Sequence, residues 1–456
     1  MMFRKETEFQ ETEIGEFPKE WKVRRLNEIA ELQRGLSYSG REKSKDEIPD
    51  GYLFLTLNSI KEGGGLKEDG WTWIKSDRLK ERHFVKEGDI VIANTEQSKD
   101  GSLIGSPAIV RFPKWYKKDK AVFSHHISKL LLRISNMDVN FLFYYLSFAQ
   151  PLARKYHTGT GVWGLNVDSW ARDLLIPLPP LEEQKMIANI LSMIDSGIEA
   201  VDRAIAKLER MKRALLNELL TGRIRVRDEN GKLTFYKETE FQETEIGEMP
   251  KDWKIEKLKN IVIKAKMGGT PRSTVREYWG GDIPFAKVED ITSSHKYLFK
   301  TSTTITKLGL ENSNAWIIPK DSLLITIYGT LGAVAINKIE LATNQAIVGI
   351  IPRKDIVDVE YLYYWYSFFQ PNWNKYVKKS TQPNLTLEIV TNSKLPLPSI
   401  KEQKRITDIL STIDSSIELY YREKEKLLRL RRGLMGVLLT GRVRVVSDVR
   451  DVGVVV

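Results

Sequence analysis

KMGGTPRST (266–274) sets a Gly-Gly turn beside Thr270, Arg272 and Thr274, placing backbone N–H groups, hydroxyls and a guanidinium within nine residues. That combination suits a phosphate oxygen. IYGTLG (327–332) adds Tyr328 and Thr330 on a small glycine-bearing loop, and GDIPFAKVED (281–290) adds Lys287. KKSTQPNLT (378–386) joins Lys379 to Gln382 and Asn384, whose amides match the edge of adenine in a duplex groove. Three stretches stand at corresponding places in the first half. They are QRGLSYS (33–39) with Arg34, Ser37 and Tyr38, ANTEQSKDGS (93–102) with Asn94, Thr95 and Lys99, and HTGTGVWGLN (157–166) with Thr160, Trp163 and Asn166. The chemistry on offer is contact with phosphates and bases. Any one stretch reads equally as an ordinary turn; recurrence at matching places favours the functional reading.

Catalytic patterns are absent from the sequence. It has no G-x-x-x-x-G-K-[ST] loop, no Asn-Pro-Pro-aromatic motif and no H-E-x-x-H pair. With no cysteine there is no thiolate zinc site, thiol nucleophile or disulfide. His83, His125, His126, His157 and His295 lack ligand spacing beyond the adjacent 125–126 pair. The carboxylates and lysine of 281–290 form only a loose nuclease-like set, and Trp279 and Phe285 beside them suggest packing. No catalytic residue and no metal are expected.

The elements that must position these loops are written twice. KETEFQETEIGE occupies both 5–16 and 237–248. PLPPLEEQKMIANILSMIDSGIE (177–199) is matched by PLPSIKEQKRITDILSTIDSSIE (396–418), at a shift of 219 where the first pair is shifted by 232. The 13-residue difference makes the chain two copies of one module with constant ends and variable middles. In 181–221 the apolar residues Ile187, Leu191, Ile194, Ile198, Val201, Ile205 and Leu208 keep a heptad rhythm. Ile406, Leu410, Ile413, Ile417, Tyr420, Leu427 and Leu434 repeat it in 400–440. About 40 residues at 1.5 Å each make a rod of roughly 60 Å that needs a partner, most economically the other copy. Lys212, Arg431 and Lys424 interrupt the seam, and like charges avoid facing each other if the pair is antiparallel.

The middles, 18–176 and 250–395, alternate short β-rich runs with glycine turns and close on aromatic helices, VNFLFYYLSFAQP and VEYLYYWYSFFQP, dense enough to be core. The fold class expected is α+β, two mixed α/β domains separated by two long helices in an antiparallel coiled coil, with a pseudo-two-fold internal repeat. Net charge is +11, and it sits on the middles. Residues 18–180 hold 26 Lys/Arg against 20 Asp/Glu and residues 250–399 hold 20 against 13, while 181–221 hold 6 against 7. A polyanion touching both middles accounts for that. Neither a membrane span nor an apolar signal core is present in the sequence, so a cytoplasmic protein is expected.

The doubled Pro177, Pro179, Glu183, Gln184 and Pro396, Pro398, Glu402, Gln403, the doubled EIGE-x-P-K-x-W (13–21 and 245–253) and GGTP…EYWGGDIPF (268–285) resemble the specificity subunit of type I restriction-modification systems. The resemblance covers nearly the whole chain. It implies a framing segment (1–17), a first target recognition domain (18–176), a first helix (177–222) and a linker with the repeated framing segment (223–249). A second target recognition domain (250–395), a second helix (396–441) and a tail (442–456) follow. It implies a non-catalytic subunit that reads the two halves of an asymmetric double-stranded DNA site and scaffolds two modification (methyltransferase) subunits, joined by restriction (endonuclease and translocase) subunits. S-adenosylmethionine, ATP and Mg²⁺ would then act on those partners and not on this chain. A stand-alone DNA-binding regulator, an enzyme acting on DNA by itself and a scaffold are the other readings.

Overall fold

The computed structural model describes residues 2–13, 15–67, 69–96, 100–377 and 384–446. It is α+β, with two mixed bodies and two long helices, Leu181–Leu220 and Ile400–Leu438. Two compact units divide it. One holds residues up to Asp202 and from Glu423, the other runs from Arg203 to Arg422, and each contains one body and part of both long helices.

The helices start and stop where their punctuation requires. Behind the Pro-rich stops, Gln184 N donates to the Pro180 carbonyl (3.0 Å) and Gln403 N to Ser399 (2.9 Å). Gly222 (φ 68°) and Gly441 (φ 67°) end them in the left-handed region. A Cβ there would lie 2.4 Å from the ring of Pro250 or Pro18, so only glycine fits. Ile187, Leu191, Val201, Ile205, Ile406, Leu410 and Ile413 are buried, and Ile194, Ile198, Leu208, Ile417, Tyr420, Leu427 and Leu434 are half-buried. In the first unit Asp195 pairs with Arg431 (2.5 Å) and Asp202 with Lys424 (2.6 Å). Partner numbers fall as residue numbers rise, so the segments run antiparallel. In the second, Tyr421 donates to Glu209 (3.1 Å) and Lys212 pairs with Asp414 (2.5 Å), in the same sense. Each seam cation meets an aspartate from the opposite helix, which fixes register.

Each body is built on an antiparallel sheet. In the first the order is Pro107–Ile109, Ile90–Ala93, Ile127–Leu132, Ala30–Arg34. In the second it is Val334–Asn337, Leu323–Thr326, Ile347–Pro352, Val262–Met267, with Tyr297–Leu298 added in parallel beyond the first strand. The central runs IVIA and LLIT are buried throughout, as their apolar residues require, and the one hydroxyl, on Thr326, is hydrogen-bonded within its own loop. The aromatic helices, Val139–Ala149 and Val359–Phe369, are core as expected, with most of their residues buried. Asp138 and Asp358 cap them by accepting from Phe141 N (2.9 Å) and Glu360 N (2.8 Å). Tyr144 donates to Asp195 (2.9 Å) and Tyr364 to Asp414 (2.7 Å), tying each body to its long-helix segment through an aspartate already paired with a seam cation.

The repeated words build the neck of each body. Lys22–Arg25 pairs with Leu175–Leu178, and Lys254–Lys257 with Lys394–Leu397, so each body's incoming and outgoing strands are stitched together. The twelve-residue repeat folds as matching hairpins, Phe9–Thr12 with Gly15–Pro18 and Phe241–Thr244 with Gly247–Pro250. Gln10 donates to the carbonyls of Pro18 (3.0 Å) and Trp21 (2.6 Å), and Gln242 to those of Pro250 (3.1 Å) and Trp253 (3.0 Å). Met2–Lys5 pairs with Val443–Val446 in the register by which Lys232–Lys237 pairs with Ile224–Glu229. At the centre of each neck sits a buried arginine. Arg444 holds Glu183 (2.8 Å), Glu6 (2.8 Å) and Glu20 (3.0 Å); Arg225 holds Glu402 (2.6 Å), Glu238 (2.6 Å) and Asp252 (2.9 Å). The neighbouring glutamines take the base of each body: Gln184 accepts from Asp138 N (2.8 Å) and Gln403 from Asp358 N (2.9 Å). The doubled Glu-Gln and the doubled framing segment therefore have an internal use. Of the tail, Val443–Val446 is the strand just described, and 447–456 lie outside the described residues.

Candidate nucleic-acid interface

All three stretches singled out in the first body meet at one end of its antiparallel sheet. Gly35 N donates to Ile127 O (3.4 Å), Leu36 N to Phe123 O (2.8 Å), Asn94 N to His126 O (2.8 Å) and Leu165 N to Asn94 O (2.7 Å). Arg34, Ser37 and Thr160 are exposed there. Tyr38 is half-buried, edge-on to Phe54 at 4.8 Å. His157 stacks on Trp163, their ring centroids 4.1 Å apart. Two asparagines are engaged internally: Asn94 is buried and donates to Ser128 (2.9 Å), and Asn166 caps Val167–Asp173 by accepting from Ser169 N (3.2 Å). Thr95 Oγ1 lies 3.0 Å from His126 Nδ1. Burial, with His125 alongside, holds the His126 imidazole below its ordinary pKa. Lys99 lies outside the described residues.

The second body gathers its stretches in the same way. Gly268 N donates to Ile347 O (2.9 Å), Gly269 N to Thr343 O (2.9 Å), Ile327 N to Ala346 O (2.8 Å) and Leu385 N to Ile327 O (3.0 Å). One expectation is corrected here. The Gly268 and Gly269 N–H groups are consumed internally and do not cradle a phosphate. These positions are glycine because a Cβ would lie 2.2 Å from Thr343 O at Gly268 and 2.5 Å from Asn314 C at Gly269. The exposed side chains of the cluster remain, among them Thr270, Arg272, Thr274, Tyr328 and Thr330. Thr270 donates to Gln345 Oε1, and Asn384 donates to the Tyr328 hydroxyl (3.2 Å). Lys287 Nζ stands 6.0 Å from the Trp279 ring, whose Nε1 donates to Arg272 O (3.2 Å). Lys379 and Gln382 lie outside the described residues.

Sequence reasoning passed over three participants. Glu96 is buried and accepts from the N–H groups of Gly101 (2.9 Å), Ser102 (3.2 Å), Leu103 (3.0 Å) and Ile104 (3.0 Å), shaping that loop. The His125–His126 and Gln345–Ala346 turns sit among the others in each body. Their residue types differ between the copies, so the internal repeat carried no signal for them; only their place just ahead of the strand that comes last in chain order in each sheet could have pointed there.

A family profile described as the type I restriction modification DNA specificity domain matches residues 18–210 and 250–429. The chain belongs to that family. Relatives include the MjaX specificity subunit of a type I restriction enzyme from Methanocaldococcus jannaschii, 29% identical over 98% of this chain and 99% of that protein. The MjaVIII specificity subunit of the same organism is 25% identical over 98% of each. The crystal structure of a type I restriction-modification S subunit from M. genitalium shares the fold, with a TM-score of 0.55 at 16% identity over 92% of this chain and 96% of that one. In this specificity-family chain no helix among the described residues is long and apolar enough to cross a membrane, and no three His, Asp or Glu side chains among them are grouped to hold a metal ion.

Proposed function

We propose that this chain is the DNA-reading subunit of a type I restriction-modification complex, with each body reading one half of a bipartite, asymmetric duplex site. The observation that carries the proposal is the pair of loop clusters: equivalent backbone hydrogen bonds assemble both, while the side chains they present differ. Two readers on one scaffold with different tips suit a site whose halves differ. The basic surplus of each middle supplies phosphate contacts independent of sequence. The long helices hold the half-sites at a set distance and offer docking surfaces to two modification subunits, with restriction subunits completing the enzyme in the cytoplasm. Methyl transfer from S-adenosylmethionine and ATP- and Mg²⁺-dependent cleavage belong to those partners; this chain takes no cofactor and performs no catalysis.

Mapping methylated bases in DNA from cells expressing the chain with its modification subunits tests the reading. The expected result is a single motif of two short specified halves flanking a fixed unspecified spacer. A contiguous motif, or tight sequence-specific binding by the chain alone with no methylation, would overturn it.

A further inference from the structure

One four-residue turn in each body takes hydrogen bonds from the rest of its cluster. In the first body Ile127 N closes back on Ser124 O (3.0 Å), and in the second Ile347 N closes on Asn344 O (3.3 Å). The bonds from Gly35, Leu36 and Asn94 onto this segment match those from Gly268, Gly269 and Ile327, residue for residue. His125 and His126 are therefore the central turn residues in one body, and Gln345 and Ala346 in the other. The scaffold is held in common and the two tips are not.

The first residue of each tip has one polar atom committed and one left over. His125 Nδ1 lies 3.3 Å from the Leu36 carbonyl. A carbonyl only accepts, so Nδ1 carries the proton, and in the neutral form of the ring Nε2 is then the acceptor. Gln345 is exposed, and its Oε1 accepts from Thr270, which leaves the amide NH₂ as donors. At one and the same backbone position the bodies thus offer opposite hydrogen-bonding character. Base edges differ in that character too: adenine N6 and cytosine N4 donate, whereas guanine O6, thymine O4 and purine N7 accept.

We propose that His125 and Gln345 are specificity-determining residues, each reading one base pair of its half-site, His125 an exocyclic amino group and Gln345 a base acceptor. The inference rests on the DNA-reading role proposed above. The test is selection from duplexes randomised in both halves by the intact complex with modification subunits, using wild type, His125→Ala, Gln345→Ala and Gln345→Glu. Each alanine variant is expected to lower preference at one base pair of one half by roughly 5- to 150-fold, leaving the other half unchanged. Gln345→Glu replaces donors with acceptors and is expected to turn that preference toward an amino-bearing base, which a merely structural role would not do. A wild-type complex that selects a two-part site while the variants select the same site overturns this inference alone. So does a uniform loss across all sequences, the signature of a phosphate contact or a disturbed fold. A wild-type complex that selects no two-part site overturns the DNA-reading role itself.

Discussion

At the residue scale the neck arginines are the buried charges whose loss would leave most uncompensated. Arg225 and Arg444 are 6% and 3% exposed, and each is surrounded by three carboxylates. Removing one would strand buried charge, as Glu402 or Glu183 would lose its partner. Arg225→Ala is expected to destabilise the chain by about 3–5 kcal/mol, read from denaturant unfolding monitored in the second body. Two histidines of the first body make a prediction about pH. Burial, together with nearby Arg82, Lys80 and Arg78, pushes His83 below its ordinary pKa of 6.5, and burial beside His125 does the same to His126. The unfolded chain takes up these protons at higher pH than the folded one. Stability is therefore complete above 6.5 and falls as pH drops through 6.5 toward the folded values. Thermal unfolding of the chain at pH 7.5 and 5.5 is expected to show that loss, and His126→Gln to reduce it. An unchanged slope in the variant would place the effect elsewhere. The residue scale was also the least legible in the sequence. Gly-Gly reads as a phosphate cradle until the carbonyls that consume its N–H groups are known. An asparagine such as Asn94 reads as a base contact until its burial is known. Both facts depend on strands far away along the chain.

At the element scale the sequence was far more informative, because heptads and duplicated strings are local signals. The long helices, their punctuation and their seam cations followed from spacing and from Pro and Gly. The aspartates that answer those cations, Asp195, Asp202 and Asp414, were as plain in the string as Lys212, Lys424 and Arg431; only the antiparallel register showed which faces which. That register gives the helices a testable role under the proposed function. One heptad inserted at the same level in both helices adds about 10 Å, close to three base-pair steps. The tolerated spacer is expected to change while both half-sites stay the same, measured by methylation motif mapping of the engineered complex. A fixed spacer would remove the helices as the measuring element.

For the whole molecule, duplication is the fact from which the rest descends, and it was legible in full from two repeated strings. What the repeats did not reveal is how completely they mirror one another where the chain has its first and last described strands. Lys5 faces Val443 as Lys237 faces Ile224, and Arg444 gathers its carboxylates as Arg225 does. In the second unit a turn through Asn230 and Gly231 joins the two strands; in the first the paired strands are the first and last described along the chain. A gene recut at codon 230, with a short linker joining Val446 to Met2, would encode the same set of pairings in a different reading order.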